Sequence, residues 1–128
     1  MKRSRVTADL TPKSVETCRE PHGPRVSRPV DPRALEAAAG FFRAAGDAAR
    51  LRILTELRDG ERCVSDLAAA SEDGMSTMSQ RLKVLRAEGL VRRRRDGKHI
   101  LYALADAHVL ALVDTALAHA EDHRKETP

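Results

Sequence analysis

The chain has 128 residues, of which 41% are hydrophobic and 2% aromatic, so its core must be aliphatic and built largely from helix formers. Its formal net charge of +4 favours a polyanionic partner, and no stretch approaches the roughly 18 apolar residues of a membrane span. The first thirty residues also lack an apolar signal segment, which predicts a cytoplasmic protein with no membrane partner. In that reducing compartment, Cys18 and Cys63 indicate thiol or metal chemistry more than a disulfide.

The chain divides into an arm, an ordered domain and a short tail. Residues 1–30 are rich in Pro, Arg, Ser and Thr without apolar periodicity, which predicts a flexible arm. The ordered domain is expected over residues 31–123, followed by a tail over 124–128. Asp31 is a plausible N-cap of a first helix that ends at Gly46. Asp47 can cap a second helix that stops at Asp59 and Gly60.

Two further helices are predicted in the middle of the chain. A short third helix is expected from Cys63 to Ala70, followed by a turn over residues 71–74. A fourth helix is expected from about Met75 to Glu88, with Gly89 as its C-cap. A helix, a tight turn and a second helix form a candidate helix-turn-helix.

A hairpin and a last helix complete the predicted domain. Two strands, over residues 90–95 and 100–104, flank Asp96-Gly97, a pair that favours a two-residue hairpin turn. Asp106 is expected to cap a last helix that runs to about Asp122. The order α-α-α-α-β-β-α predicts a mainly helical winged helix-turn-helix fold with a small β-hairpin.

The fourth helix and the hairpin carry the residues expected to contact double-stranded DNA. The second helix of a helix-turn-helix enters the major groove with its N-terminal residues forward. Side chains that can contact base edges or phosphates there are Ser76, Thr77, Ser79, Gln80, Arg81 and Lys83. On the hairpin, Arg93, Arg94, Arg95 and Lys98 are expected to contact backbone phosphates. A solvated charged surface is the alternative interpretation of both clusters.

The last helix places two pairs of metal-ligand side chains near its two ends. Asp106 and His108 lie at its start, and His119 and Asp122 lie near its end. His108 and His119 face the same way but lie about 16 Å apart along the axis, too far to share one ion. Two antiparallel helices in a homodimer could instead bring one pair from each chain together.

Such a shared site would contain two imidazoles and two carboxylates, which suit Zn²⁺ and also permit Co²⁺ or Ni²⁺. His123, Glu121 or Asp114 could replace one of the ligands. The alternative is that Asp106 is only an N-cap and that the histidines are ordinary surface residues. A site closed by four protein ligands leaves no open position for a substrate, so we expect neither an enzyme nor a small organic substrate.

A second possible metal site combines the arm with the third helix. Cys18 and His22 lie in the segment TCREPH, and Cys63 and Asp66 lie three residues apart at the start of the third helix. These four side chains could form a thiolate-containing zinc site if the arm folds over the domain. The alternative is a buried Cys63 and a capping Asp66.

Several segments together resemble the ArsR/SmtB family of metal-sensing repressors, over about residues 33 to 123. They are GDAARLRILTEL, ERCVSDLAAA, MSTMSQRLKVLRAEGLV, the hairpin RRRRDGKHILYAL and the last segment DAHVLALVDTALAHAED. The resemblance is closest to the zinc-sensing SmtB-like branch. It implies a homodimeric repressor that binds operator DNA and leaves it when zinc binds the paired carboxy-terminal helices.

The resemblance also assigns the ligands. The positions that match the branch's carboxy-terminal site are Asp106, His108, His119 and Asp122, the last of which is commonly Glu. Cys18, His22, Cys63 and Asp66 match its amino-terminal site. The segment ERCVSDL has one cysteine where the arsenic-sensing pattern has two, which makes Cd²⁺ and arsenite less favoured inducers than zinc. The alternative function is a repressor that senses oxidants or soft metals through Cys18 and Cys63.

Overall fold

The structure, a computed structural model, describes residues 28–126. Its elements in chain order are α1 (Pro32–Ala45), α2 (Ala48–Glu56), β1 (Arg62–Cys63), α3 (Val64–Ala70), α4 (Met75–Ala87), β2 (Val91–Asp96), β3 (His99–Leu104) and α5 (Ala107–Glu126). The helix-turn-helix α3–α4 followed by the hairpin β2–β3, hereafter the wing, is the winged helix-turn-helix arrangement predicted from the sequence. No helix in the described residues is long and apolar enough to cross a membrane.

Three aspartates begin three of the helices, as the sequence predicts. The side chains of Asp31, Asp47 and Asp106 each accept a hydrogen bond from a backbone N–H two or three residues further on, at 3.0–3.1 Å. A carboxylate at this position satisfies one of the backbone donors that a helix leaves unpaired at its start. These three local contacts therefore fix where α1, α2 and α5 begin.

The joint between α1 and α2 is held by one arginine. Arg50 Nε donates to the backbone carbonyl of Ala44 at 2.8 Å, and its Nη2 donates to that of Arg43 at 3.4 Å. Both carbonyls lie in the last turn of α1, where a helix has no acceptor partners of its own. The first turn of α2 thereby caps the end of α1.

The core is aliphatic and centres on α4. Met78, Leu82 and Leu85 of this helix are at most 2% exposed. They pack in one cluster with α2, α3, the wing and the start of α5, through residues that include Leu54, Leu57, Leu67, Leu90, Val91, Tyr102, Val109 and Val113. Because the apolar side of α4 is fully occupied in this cluster, its polar side is left at the surface.

The end of α4 is a Schellman motif. Gly89 has φ +76°, and its N–H donates to the carbonyl of Arg86 at 3.0 Å. The N–H of Leu90 donates to the carbonyl of Leu85 at 2.9 Å. This pair of bonds satisfies two orphan carbonyls and requires a left-handed residue, which favours glycine.

The sheet is antiparallel with the strand order β1-β3-β2. Asp96 pairs with His99, so the two turn residues are Gly97 and Lys98, one position later than the Asp96-Gly97 turn expected from the sequence. Gly97 has φ +64°, and no residue other than glycine has a positive φ in the described part of the chain. A positive φ at the first turn residue alone is the type II′ pattern, which explains the shift.

Other features of the fold also differ from the sequence prediction. The strand β1 was not expected, because two residues carry no alternating pattern that a sequence can reveal. The helix α2 ends at Glu56, ahead of turn residues 57–59, whereas the prediction carried it to Asp59. The helix α5 continues to Glu126, whereas the sequence predicts its end at about Asp122.

The helices α1 and α5 expose apolar side chains on one side of the molecule. Leu35 and Phe42 of α1 are 62% and 65% exposed, and Leu112 of α5 is 45% exposed. Between the two helices lies an apolar cavity of about 150 Å³, whose lining includes Phe41, Phe42, Leu112 and Ala116. We call this surface, formed by Leu35, Phe42, Leu112 and Ala116, the α1/α5 face.

Candidate DNA interface and metal-ligand positions

The polar side of α4 presents most of the predicted DNA-contacting residues to solvent. The exposed side chains are Ser76, Thr77, Ser79, Gln80 and Lys83. Gly74 forms the N-cap and has no side chain with which to cap the helix. This end of the helix therefore presents hydroxyl, amide and ammonium groups together, which are the groups that read base edges and phosphates.

Arg81 differs from its neighbours on α4. Its guanidinium forms an ion pair with Asp73 in the turn between α3 and α4, and both side chains are about one-third exposed or less. Asp73 is itself tied into the turn, because its N–H donates to the hydroxyl of Ser71 at 3.2 Å. Arg81 thus fixes the turn of the helix-turn-helix to the second helix.

The wing carries exposed cations, but one of them already has a partner. Arg93, Arg95 and Lys98 are exposed. Arg94 instead donates two hydrogen bonds of 2.8 Å to the carboxylate of Glu61. These hydrogen bonds lower the pKa of Glu61 from its ordinary value, and the same bonds raise the pKa of Arg94.

The two predicted ligands at the start of α5 lie side by side. Asp106 Oδ1 accepts the N–H of Val109 at 3.0 Å and lies 3.7 Å from Nδ1 of His108. The His108 side chain is 95% exposed, so its imidazole is free to turn toward a ligand outside the chain. Asp106 therefore acts as an N-cap in this structure, and its second oxygen, Oδ2, remains for another partner.

At the other end of α5, His119 and Asp122 are both exposed. The ring of His119 stacks on that of His123, one turn further on, with centroids 6.3 Å apart and an interplanar angle of 8°. The two imidazoles and the Asp122 carboxylate thus occupy neighbouring positions on the last two turns. This end offers at least as many donor atoms as the sequence prediction assigned to it.

Neither end of α5 forms a complete site within one chain. Among residues 28–126, no group of three or more His, Cys, Asp and Glu side chains is placed to hold a metal ion. The donor types at both ends, imidazole nitrogen and carboxylate oxygen, nevertheless fit Zn²⁺. A four-ligand site on this helix would have to draw on side chains from outside the described chain.

The second predicted site lies only partly within the described residues. Cys63 is a free, half-buried cysteine whose Sγ lies 3.1 Å from Oγ of Ser65. It precedes α3 as the N-cap, whereas Asp66 is exposed in the first turn of that helix. Cys18 and His22 lie outside the described residues, so the structure does not test this site.

Sequence reasoning missed the carboxylates that hold two of the predicted DNA-contacting arginines. Glu61 lies 33 residues before Arg94, and no local spacing rule connects residues that far apart. Asp73 lies eight residues before Arg81 across a turn, where helical spacing does not apply. For Glu61, the available signal was the run of arginines on the wing, because such a run favours a nearby negative charge. No comparable signal pointed to Asp73.

The comparisons with known proteins agree on one family. Residues 47–93 match the family described as "Bacterial regulatory protein, arsR family". The HTH-type transcriptional regulator NmtR of Mycobacterium tuberculosis is 43% identical over 97 residues, which are 76% of this chain and 81% of that protein. A transcriptional repressor SmtB homolog from Synechocystis is 42% identical over 84 residues, which are 66% of this chain and 64% of that protein.

Among solved structures, a similar fold occurs in a homodimeric winged helix-turn-helix DNA-binding domain from Mycobacterium bovis, described as a possible ArsR-family transcriptional regulator. The TM-score is 0.71 at 31% sequence identity, and the match covers 78% of this chain and 94% of that one.

Proposed function

Because the chain belongs to the arsR family of bacterial regulatory proteins, we propose that it is a homodimeric repressor that binds operator DNA and releases it when zinc binds between the subunits. Membership of this family makes the chain a transcriptional regulator with a winged helix-turn-helix, and not an enzyme. The dimer, the metal and the release of DNA are the parts that we propose here.

The observation that carries the proposal is the arrangement of ligands on α5. Asp106 and His108 stand at one end, His119 and Asp122 stand at the other, and all four are exposed. His108 and His119 are separated by about 16 Å of helix, so one chain cannot close a site with both. We therefore place Zn²⁺ between Asp106 and His108 of one subunit and His119 and Asp122 of the partner subunit.

The α1/α5 face supports the pairing of subunits that this site requires. Exposed Leu and Phe side chains on two adjacent helices are unfavourable in water, and a contiguous apolar surface commonly marks an interface. Contact between two copies through this face would bring the two α5 helices together. The same contact would set the spacing between the two α4 helices, which must match two half-sites about one turn of DNA apart.

The zinc in this proposal supplies a cross-link between the two α5 helices. Val109 and Val113 bury α5 against the core that also holds α4, so a change in the angle between the two α5 helices moves the two DNA-binding surfaces. An allosteric coupling of this kind typically corresponds to about a 5- to 150-fold change in affinity. Co²⁺ and Ni²⁺ have similar ligand preferences and are the alternative effectors, with Cd²⁺ less favoured.

A DNA-binding titration tests this function. A duplex is selected from a random pool by the metal-free protein, and its affinity is measured with and without Zn²⁺, Ni²⁺, Co²⁺ and Cd²⁺. We expect Zn²⁺ to weaken binding by about 5- to 150-fold for the unaltered protein. His119→Ala should keep metal-free DNA binding and lose this response, whereas Thr115→Ala, exposed on the same helix, should keep both. Undiminished release by zinc in a His108→Ala/His119→Ala variant would show that the α5 site is wrong.

The thiol-based alternative has one observation in its favour. Cys63 lines a cavity together with Met75 and Ser79 of α4 and Lys98 of the wing, so its thiol lies close to both DNA-binding elements. A modification of the thiol there would alter the DNA interface directly. Release of DNA by an oxidant or by Ag⁺, abolished by Cys63→Ser and unaffected by His119→Ala, would favour this function over zinc sensing.

A further inference from the structure

We propose that Glu61 is a positioning residue of the wing. Its carboxylate holds the side chain of Arg94 in place across the sheet, and we call this ion pair the strut. The phosphate contacts of β2 are then left to Arg93 and Arg95. The inference rests on the proposed DNA-binding function and assigns different roles to adjacent arginines. It also revises the expectation that Arg93, Arg94 and Arg95 contact phosphates in the same way.

The contact between Glu61 and Arg94 is bidentate. Nε of Arg94 donates to one carboxylate oxygen of Glu61 and Nη2 donates to the other, each at 2.8 Å. This fork-to-fork geometry fixes the plane of the guanidinium as well as its position. A phosphate approaching the same edge of Arg94 would have to displace both hydrogen bonds.

The register of the sheet explains how two residues so far apart in sequence meet. Arg94 pairs with Leu101 on the central strand β3, and Leu101 pairs with Cys63 on β1. Residues directly opposite one another share a face of the sheet, and so do residues two apart on one strand. Cys63 therefore lies on the same face as Arg94, and the side chain of Glu61, which immediately precedes β1, meets Arg94 across β3.

Successive side chains of β2 point to opposite faces of the sheet, so Arg93 and Arg95 lie on the face opposite to Arg94. Arg93 pairs with Tyr102 and Arg95 pairs with Ile100, one position to either side of the Arg94 pairing. Within residues 28–126, no carboxylate forms an ion pair with Arg93 or Arg95. Their guanidinium groups are therefore available to an external anion, whereas that of Arg94 is engaged.

The available arginines lie beside the helix-turn-helix. Arg86 near the end of α4 lines one open cavity with Arg93 and Arg95, to which Arg94 and Ile100 also contribute. None of these three arginines forms an ion pair with a carboxylate in the described part of the chain. Together they form a positively charged surface at the junction of α4 and the wing, which suits a DNA backbone. Glu61 neutralises the charge of Arg94 on the other face of β2 and so reduces repulsion within the arginine run.

Salt dependence of DNA binding separates a strut from a phosphate contact. Binding to a mixed-sequence duplex of about 30 base pairs is measured as a function of salt, because each phosphate contact contributes about 0.9 to the slope of log affinity against log salt. We expect Arg93→Gln and Arg95→Gln each to reduce the slope by about one. Arg94→Gln should leave the slope unchanged and weaken binding only about twofold to fivefold, as expected for loss of an exposed pair. A slope reduced equally by Arg94→Gln would overturn the inference.

A charge-swapped pair provides the matched control, since it leaves the net charge of the protein unchanged. Arg94→Glu should weaken DNA binding, and the double variant Glu61→Arg/Arg94→Glu should recover most of the affinity because the ion pair is restored with reversed polarity. If Arg94 contacts phosphate, the double variant should bind as weakly as Arg94→Glu alone, since a carboxylate at position 94 repels the backbone.

A measurement without DNA keeps the inference separate from the proposed function. The Nε–H resonance of Arg94 in the NMR spectrum should be protected from solvent exchange and should lose that protection in Glu61→Gln. Absence of this protection in the unaltered protein would show that the ion pair between Glu61 and Arg94 does not persist in solution, which would overturn the inference. Protection without any binding of the duplex would instead contradict the proposed DNA-binding function and leave the strut in place.

Discussion

At the scale of single residues, the contact between Glu61 and Arg94 changes the pKa of both side chains. The hydrogen bonds from Arg94 lower the pKa of Glu61, and the charge of Arg92 acts in the same direction. The carboxylate form is thus favoured in the folded state. Its contribution to the stability of the wing is present above the ordinary pKa of 4.5 and is lost as the pH falls through the lower folded-state pKa.

This perturbation can be measured directly. An NMR titration of the Glu61 side chain should give a pKa below 4.5 in the unaltered protein and a return toward 4.5 in Arg94→Gln. An identical Glu61 titration in both proteins would show that the two side chains do not interact in solution.

Local side-chain contacts can be predicted from the sequence, whereas contacts between distant residues cannot. Asp31, Asp47 and Asp106 were identified as N-caps because a cap and its acceptor N–H are two or three residues apart, and the structure confirms all three. Glu61 and Arg94 meet only because β1, β3 and β2 pair in that order, and nothing local encodes that order. Residues joined through tertiary structure were therefore the ones that the sequence prediction missed.

At the scale of elements, the end of α4 depends on one backbone conformation. Gly89 adopts φ +76°, in which a residue with a Cβ is strained by about 1–2 kcal/mol. A substitution at position 89 would therefore destabilise the junction between α4, the second helix of the helix-turn-helix, and the wing. This junction sets the angle between the two elements proposed to contact DNA.

We expect Gly89→Ala to lower the free energy of unfolding by about 1–2 kcal/mol, measured by urea denaturation of the metal-free protein. Gly89→Asn should lose less, since asparagine enters the left-handed region more readily than alanine does. Equal stability of Gly89→Ala and the unaltered protein would mean that this C-terminal turn adopts another conformation in solution.

Periodic elements could be predicted well and aperiodic ones poorly. The buried side of α4 was identified correctly as Met78, Leu82 and Leu85, because helical spacing places them together. The hairpin was also identified, but its turn was assigned one residue too early because two glycine turn types compete at Asp96-Gly97-Lys98. The two-residue strand β1 is too short for any pattern to indicate it.

At the scale of the whole molecule, the winged helix-turn-helix fold and the ArsR/SmtB resemblance are confirmed. Both depend on the order of elements and on long segments, which sequence comparison preserves well. The ligand sets at Asp106, His108, His119 and Asp122 and at Cys18, His22, Cys63 and Asp66 stay predictions. They require contacts between chains or with residues outside 28–126, and neither kind of contact is contained in a single described chain.

The proposed dimer leads to a test of the α1/α5 face. Leu112→Glu places a charge on this face, and burying an unpaired charge is strongly unfavourable, so we expect the protein to sediment as a monomer. Val84→Glu makes the same type of change at a 39% exposed position on α4 and should leave the dimer intact. A Leu112→Glu protein that remains fully dimeric would place the interface elsewhere on the surface.

The side chain of Arg50 links the end of α1 to the start of α2. Because this guanidinium donates to two carbonyls at the end of α1, a tilt of α1 relative to α2 would have to break both hydrogen bonds. Beyond the end of α2, Gly60 has a φ of +141°, a backbone conformation that residues other than glycine rarely adopt. In the proposed dimer, we therefore expect a displacement of α1 at the α1/α5 face to carry α2 with it, toward the loop that precedes β1 and contains Glu61.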